Sequence, residues 1–375
     1  MEFKIKTDVL RGVLQNVISV IDRSYTKPIL SNFMIRTLED EGNEDLVEFS
    51  ATDYELSIIE RVPAQVKVQG SICINAKRVF DITREFQKSE CFFQATEQLW
   101  VHITCGASEL RLPSVEVGLY PHPKLEDMNE RLNISTLDLS QCIDMTLFAS
   151  QTNESRRNLM GVALSATEDE RTRWLATDGH RLAQVIQSVE EQSFEQIAEI
   201  ILPRKSLTEI RKVCELMGEM VELTFNERMA QFSGNLIHFK TRLIEGKFPN
   251  CDPIIPKEND LIITVDREQI IHSLRIVSAI STEKLRPVKL SLQEGMLKLE
   301  SEKTEFGEAS DEFAVKYEGQ PFEIGFNTRY LLDVLSVMQS TEVQMEFKNP
   351  MSPSIIRDPS NDAFLSVIMP LRTEW

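Results

Sequence analysis

Hydrophobic and polar positions along this chain follow a pattern that occurs three times. FKIKTDVLRGVLQNVISVI from Phe3, LNISTLDLSQCIDMTLFAS from Leu132 and IITVDREQIIHSLRIVSAIS from Ile262 each alternate briefly, as a strand does, and then change to helical spacing. Ile5, Ile134 and Ile263 stand 129 residues apart each time. Leu10, Val13, Leu14, Val17 and Ile18 mark one apolar helix face in the first copy, and Ile270, Ile271, Leu274, Val277 and Ile280 mark it in the third. A second trio lies deeper in each copy: INAKRVFDITREF from Ile74, ILPRKSLTEIRKV from Ile201 and FNTRYLLDVLSVM from Phe326. Each reads as a strand end, a turn or capping residue, and a helix. LWVHIT (99–104), VELTFN (221–226) and VQMEFK (343–348) follow these helices and alternate as strands.

The reading is therefore an α+β chain of three repeated units, each of about 125 residues with two helices and several strands. That is too few copies, and too long a period, for a solenoid. Boundaries are expected in the polar or proline-bearing stretches KLEDMNERL (124–132) and PIIPKEND (253–260), which gives domains 1–128, 129–256 and 257–375. ATDYELSI (51–58) and ATDGHRLA (176–183) also align, 125 residues apart.

Composition narrows the function. The chain has 375 residues, 42% hydrophobic and 27% charged, as in ordinary globular proteins. No apolar run approaches a membrane span, and MEFKIKTDVL lacks a signal-peptide layout, so a cytoplasmic protein is expected. Six scattered cysteines without metal-site spacing read as reduced thiols. Fourteen glycines form neither a GxGxxG nor a GxxxxGK[ST] loop, which argues against a nucleotide cofactor.

The net charge of −18 argues against a polyanionic partner until its distribution is considered. Residues 77–88 carry Lys77, Arg78, Arg84 and Lys88 against Asp81 and Glu85, and residues 204–212 carry Arg204, Lys205, Arg211 and Lys212 against Glu209. Such windows are either solvated helix faces or a basic surface that repeated helices present to one polyanion. In the third unit Arg329 is offset by Asp333, and the basic residues gather instead at Lys284, Arg286 and Lys289. Aromatic residues are only 7% of the chain, so a nucleic-acid contact is expected to be with the backbone and without sequence specificity.

Asp178, His180 and Arg181 crowd into four residues, a density typical of catalytic sites. A triad also needs a nucleophile, and no GxSxG elbow accompanies them; the histidines at 102, 122, 238 and 272 form no HExxH pair. The segment reads as strand–turn–strand with Asp178-Gly179 at the turn. Because ATDYEL shares only Ala-Thr-Asp, those three residues look architectural, and Gly179-His180-Arg181 is particular to the second unit. Catalysis is not supported.

PIL (28–30), ATDGHRLA, LPRKS (202–206), EGKFPN (245–250), STEKLRPVKL (281–290), FNTRYLLDVL (326–335) and VIMPLR (367–372), in this order and spacing, resemble the bacterial DNA polymerase III beta subunit, the sliding clamp, across essentially the full length. The resemblance implies a head-to-tail homodimer, a six-domain ring whose helices surround double-stranded DNA without sequence specificity. It implies no enzymatic activity and no metal or cofactor. Its partners would be the polymerase III alpha subunit, the clamp loader, and other polymerases and repair proteins, which bind through a short peptide motif.

Carried over by motif, the peptide cleft would comprise Leu159, Thr177, Gly179, His180, Arg181 and Leu182 from the second unit, with Pro249 and Ile254 beyond it. Met351, Pro353, Val367, Ile368, Met369, Pro370, Leu371 and Arg372 would complete it, Arg181 and Arg372 holding polar groups of the peptide at the rim. Arg23, Lys77, Arg78, Arg156, Arg157, Arg204 and Lys205 would face DNA, and Leu110 and Leu112 would meet Ile280 of the other copy. Pro253 stands where relatives often carry a basic residue, and Thr373, Glu374 and Trp375 extend past the last motif. The rival readings are a hydrolase using Asp178 and His180, and a repeat-built scaffold that docks peptides but never binds DNA.

Overall fold

Each of the six helices that the repeat predicts forms. The structure is a computed structural model, and it describes residues 1–21, 27–38, 45–96, 98–128, 130–188, 199–280 and 286–372. The first helix of each repeat is α1 (Thr7–Val20), α3 (Thr136–Leu147) or α5 (Arg267–Ser278); the second is α2 (Ala76–Thr83), α4 (Arg204–Val213) or α6 (Thr328–Val337). Side-chain caps fix several starts. Asn75 accepts from the Arg78 amide at 3.0 Å, Asp266 from Gln269 at 2.7 Å, and Asn327 from Arg329 at 3.0 Å. In α1 the residues Leu10, Val13, Leu14 and Val17 are buried, as the helical spacing requires.

Among the described residues the strands form three antiparallel sheets of thirteen, eight and four strands. LWVHIT, VELTFN and VQMEFK fall on strands Trp100–Cys105, Met220–Phe225 and Glu342–Phe347. The larger sheets run across the repeat. In the thirteen-stranded sheet, Leu56–Pro63 pairs with Ile237–Arg242, from Ile237↔Glu60 to Thr241↔Leu56. In the eight-stranded sheet, Arg181–Gln187 pairs with Phe364–Ile368, from Arg181↔Ile368 to Val185↔Phe364. The chain accordingly gathers into two compact units, one built mainly from Met1–Leu139 and Lys205–Leu243, the other from Ser140–Val189 and Ile244–Trp375.

Strand Ser108–Val115 pairs with Trp100–Cys105 along its length, but with Ser71–Asn75 only at Ser114 and Val115. Its outer edge over 108–113 has no strand neighbour among the described residues. All six cysteines are buried thiols.

Candidate functional site

The segment 177–181 is the turn between strands Thr172–Thr177 and Arg181–Gln187. Its shape follows from two side chains. The Thr177 hydroxyl donates to the Arg181 carbonyl at 2.6 Å and accepts from the Gly179 amide at 3.0 Å. Asp178 Oδ1 accepts from the His180 and Arg181 amides at 2.9 and 3.1 Å. These bonds place residue 179 in the left-handed region, φ +91°, where glycine carries no steric cost.

Arg181 departs from its expected place at the rim. Its side chain is 8% exposed. Nε donates to Asp178 Oδ2 at 3.1 Å, Nη1 to Asp333 Oδ2 of α6 at 2.6 Å, and Nη2 to the Phe148 carbonyl at 2.6 Å. The guanidinium also lies 4.5 Å from the Tyr330 ring centroid and 5.4 Å from that of Phe148. A buried guanidinium is tolerable only when its donors are satisfied, and one acceptor of the same turn and two remote ones satisfy them here. Arg181 therefore holds the turn against α6 and leaves little of itself for a ligand. The same Asp178 and Arg181 charges, after burial, shift the Tyr330 hydroxyl, whose pKa is net raised above the ordinary phenol value.

The other expected cleft residues separate into a floor and a surface. Leu159, Leu182 and Val367 are buried in one packed cluster with Phe248, Cys251 and Ile355. Thr177 and Ile368 are buried as well. Gly179, His180, Pro249, Ile254, Met351, Met369 and Arg372 are exposed, and Pro353, Pro370 and Leu371 half-buried. The Met369 amide donates to the His180 carbonyl at 2.9 Å, and that of Leu371 to Gly325 at 2.8 Å, so the C-terminal segment is fixed beside the turn. Ile254 and Pro353 both line a cavity of about 520 Å³ with Ile255, Asn259 and Lys348. Exposed thioethers and aliphatic groups over an apolar floor suit a short peptide's side chains. Thr373, Glu374 and Trp375 lie outside the described residues.

The basic residues also divide. Lys77 and Arg78 are exposed on α2, whose buried face is Ala76, Val79 and Thr83. Arg156 and Arg157 are exposed on the short helical segment Glu154–Leu159, and Arg156 Nη1 lies 3.1 Å from where a Cβ on Gly179 would sit. Arg156 thus borders the 177–181 turn. Lys205 is exposed and paired with Asp53. Arg204 differs from the expectation of a DNA-facing cation. It is half-buried, and its Nη1 donates to the carbonyls of Leu147 and Ser150 at 2.6 and 3.3 Å and to Ser150 Oγ at 2.7 Å. The carbonyl that ends α3 at Leu147 and the acceptors of Ser150 just past it draw it in. Burial, then the Arg181 cation, hold its pKa below the ordinary arginine value.

Arg23 and Lys284 lie outside the described residues. Lys289 is turned to Glu300 and Glu323 at 3.3 and 3.7 Å. The helical cations of the third repeat are instead Arg267, Arg275 and Arg329; Arg267, His272 and Arg275 line a polar cavity of about 600 Å³ with Asp333 and Ser336. Charge counting over the second helices alone missed those on α5. Leu110 and Leu112 sit half-buried on the strand with the free edge, and Ile280 is half-buried just past α5.

Family models of the DNA polymerase III beta subunit match the chain in series, the N-terminal domain over residues 1–126, the central domain over 133–250 and the C-terminal domain over 252–372. The chain belongs to the DNA polymerase III beta subunit family. A beta sliding clamp of Caulobacter vibrioides is 34% identical over 378 residues, covering 99% of this chain and 100% of the relative. One from Bacillus subtilis is 28% identical and covers 100% of both chains. Among solved structures, a beta-subunit sliding clamp from Bartonella birtlesii bound to griselimycin shares a TM-score of 0.93 at 31% identity, covering 100% of both chains. A Pseudomonas aeruginosa clamp bound to griselimycin reaches 0.92 at 28%, again over 100% of both. As a beta subunit the chain is a DNA sliding clamp, a non-catalytic processivity factor. No helix among the described residues is long and apolar enough to cross a membrane.

Proposed function

We propose that this clamp closes head to tail with a second copy into a ring around duplex DNA, and that the turn 177–181 with its neighbours docks peptide motifs. Those motifs would come from the polymerase III alpha subunit, the clamp loader, and other polymerases and repair proteins in the cytoplasm. Domains 1–128, 129–256 and 257–375 would each supply one sixth of the six-domain ring. The end-to-end family match carries this reading.

Physical features support it. Exposed Lys77, Arg78 and Lys205 sit on second helices of a chain with net charge −18, which suits encirclement: weak phosphate contacts let the ring move while topology retains it. The open edge over 108–113, bearing Leu110 and Leu112, is a ready interface. Strand Ser310–Ala314, at the edge of the four-stranded sheet and packed on α5, offers a complementary one, and two unlike edges suit a head-to-tail contact. At the docking site, Met351, Met369 and Ile254 supply apolar contact, and Arg181 positions the turn that presents His180.

Retention on DNA tests the ring. Loaded by its loader, the clamp should stay on a circular plasmid and leave once the plasmid is linearised. Equal loss from both forms would overturn encirclement. No retention on either would favour the peptide scaffold that does not bind DNA.

A further inference from the structure

The docking turn has a counterpart in the first repeat with the same internal bonds and different surroundings. The Thr52 hydroxyl donates to the Leu56 carbonyl at 3.1 Å and accepts from the Tyr54 amide at 3.0 Å. Asp53 Oδ1 accepts from the Glu55 and Leu56 amides at 2.9 and 2.7 Å. The third position is again left-handed, but here it is Tyr54, at φ +76°. A tyrosine in that region is strained, and no bond that shapes the turn uses its ring. The residue is 51% exposed.

Its neighbours are mostly cations. The Lys27 ammonium lies 4.5 Å from the ring centroid. Lys205 of α4 pairs with Asp53, and Arg242 approaches Glu55 at 4.0 Å. Lys27 and Lys205 thus bring two ammonium groups to the turn, one on the Tyr54 ring and one on Asp53. The 177–181 turn is bordered by exposed Met369, whose amide donates to the His180 carbonyl, whereas the groups at the 52–56 turn are the Lys27 and Lys205 ammoniums.

We propose that Tyr54, Lys27 and Lys205 form a contact site for single-stranded DNA, one unstacked base packing on the Tyr54 ring while adjacent phosphates meet Lys27 and Lys205. An aromatic face accepts any base, and base faces are available only where the strand is single. Lys205 has to exchange Asp53 for a phosphate; it is 54% exposed, and exposed ion pairs hold weakly, so the exchange is accessible. The inference rests on the sliding-clamp reading, which is what brings DNA to this chain.

Fluorescence anisotropy on the full chain tests it, with a labelled oligothymidine of about ten nucleotides and a duplex of equal length at low salt. Tyr54→Gly should weaken oligothymidine binding about tenfold, as expected for one lost base–aromatic stack, and leave duplex affinity within about twofold. The same variant should unfold at equal or higher urea, because glycine relieves the strain that tyrosine bears. Lys27→Ala should weaken oligothymidine binding and flatten its salt dependence. Unmeasurable oligothymidine binding by the wild-type chain, unchanged binding by Tyr54→Gly, an equal loss on duplex, or a clear drop in stability would each overturn the proposal. Loss of a partner peptide's binding in Tyr54→Gly, with oligothymidine affinity intact, would overturn it in favour of a second protein-docking turn. Plasmid retention separates the two readings: wild-type retention on circles with Tyr54-independent oligothymidine binding sinks only the contact site. Tyr54-dependent binding without retention sinks only the ring.

Discussion

The turns at 52–56 and 177–181 are built from the same Thr-Asp pair and the same four hydrogen bonds, yet their last residues go opposite ways. Leu56 is buried, while Arg181 reaches Asp178, Asp333 and the Phe148 carbonyl. Their third residues differ as sharply, a glycine beside Arg156 in one and a strained, half-exposed tyrosine beside Lys27 in the other. Threonine and aspartate set the backbone by short-range bonds alone, so a repeated sequence yields a repeated turn. What the turn does depends on the two positions those bonds leave unspecified.

The largest contrast should come from removing the shared aspartate. Asp178→Ala takes a partner from a buried guanidinium and should cost on the order of 3 kcal/mol. Asp53→Ala releases the half-exposed Lys205 and should cost about 1 kcal/mol, chiefly for the two amides left without an acceptor. Urea unfolding of the two variants decides the matter, and equal costs would mean that Arg181 is not the anchor described. Next in size are the third positions. Gly179→Ala should destabilise by about 1 kcal/mol, the added methyl also pressing on the Arg156 tip, whereas Tyr54→Gly should stabilise by a similar amount. Changes of the same sign in both would break the parallel between the turns.

The smallest effect concerns the sheet that carries the 52–56 turn. His238 stands opposite Ile59, and His122 lies 3.9 Å from buried Glu48. Burial, then nearby arginines, lower the pKa of both below the ordinary imidazole value. An imidazole held uncharged binds its proton more readily in the unfolded chain, so this stability is complete above about pH 6.5 and is lost as pH falls below it. Glu60, whose carboxyl burial raises, works in the opposite direction and cancels when variants are compared. Replacing both histidines with glutamine should therefore reduce the stability lost between about pH 7.5 and pH 5.5. An unchanged pH dependence would remove them as its source.

Much of this was legible in the sequence. Apolar spacing located all six helices, and the partial match of ATDYEL to ATDGHRLA separated scaffold from variable positions before any coordinates. Periodicity reports a residue's own face, so it could not say that Asp333, 152 residues away, pairs with Arg181; beside Arg329 it read as a local offset. Arg204 failed for the same reason, since the carbonyls that claim it lie at and just past the end of another helix. Tyr54 was hidden by a low aromatic content, although its alignment with Gly179 carried a signal. A bulky residue at a position where its counterpart is glycine marks strain that needs a reason.

A closed circle of DNA can enter a ring only if the ring parts. Where successive repeats meet within the chain, the ladders Leu56–Pro63 with Ile237–Arg242 and Arg181–Gln187 with Phe364–Ile368 are continuous backbone pairings. Prising either apart would unzip a sheet and strand its amides and carbonyls on both sides. The free edge at 108–113 is shared with no other part of the described chain. In the proposed ring, the joins between copies would be the ones across which no covalent chain runs. The gate would then be set by the sheets' continuity, and partner proteins that force it would need to grip the chain without loosening its own seams.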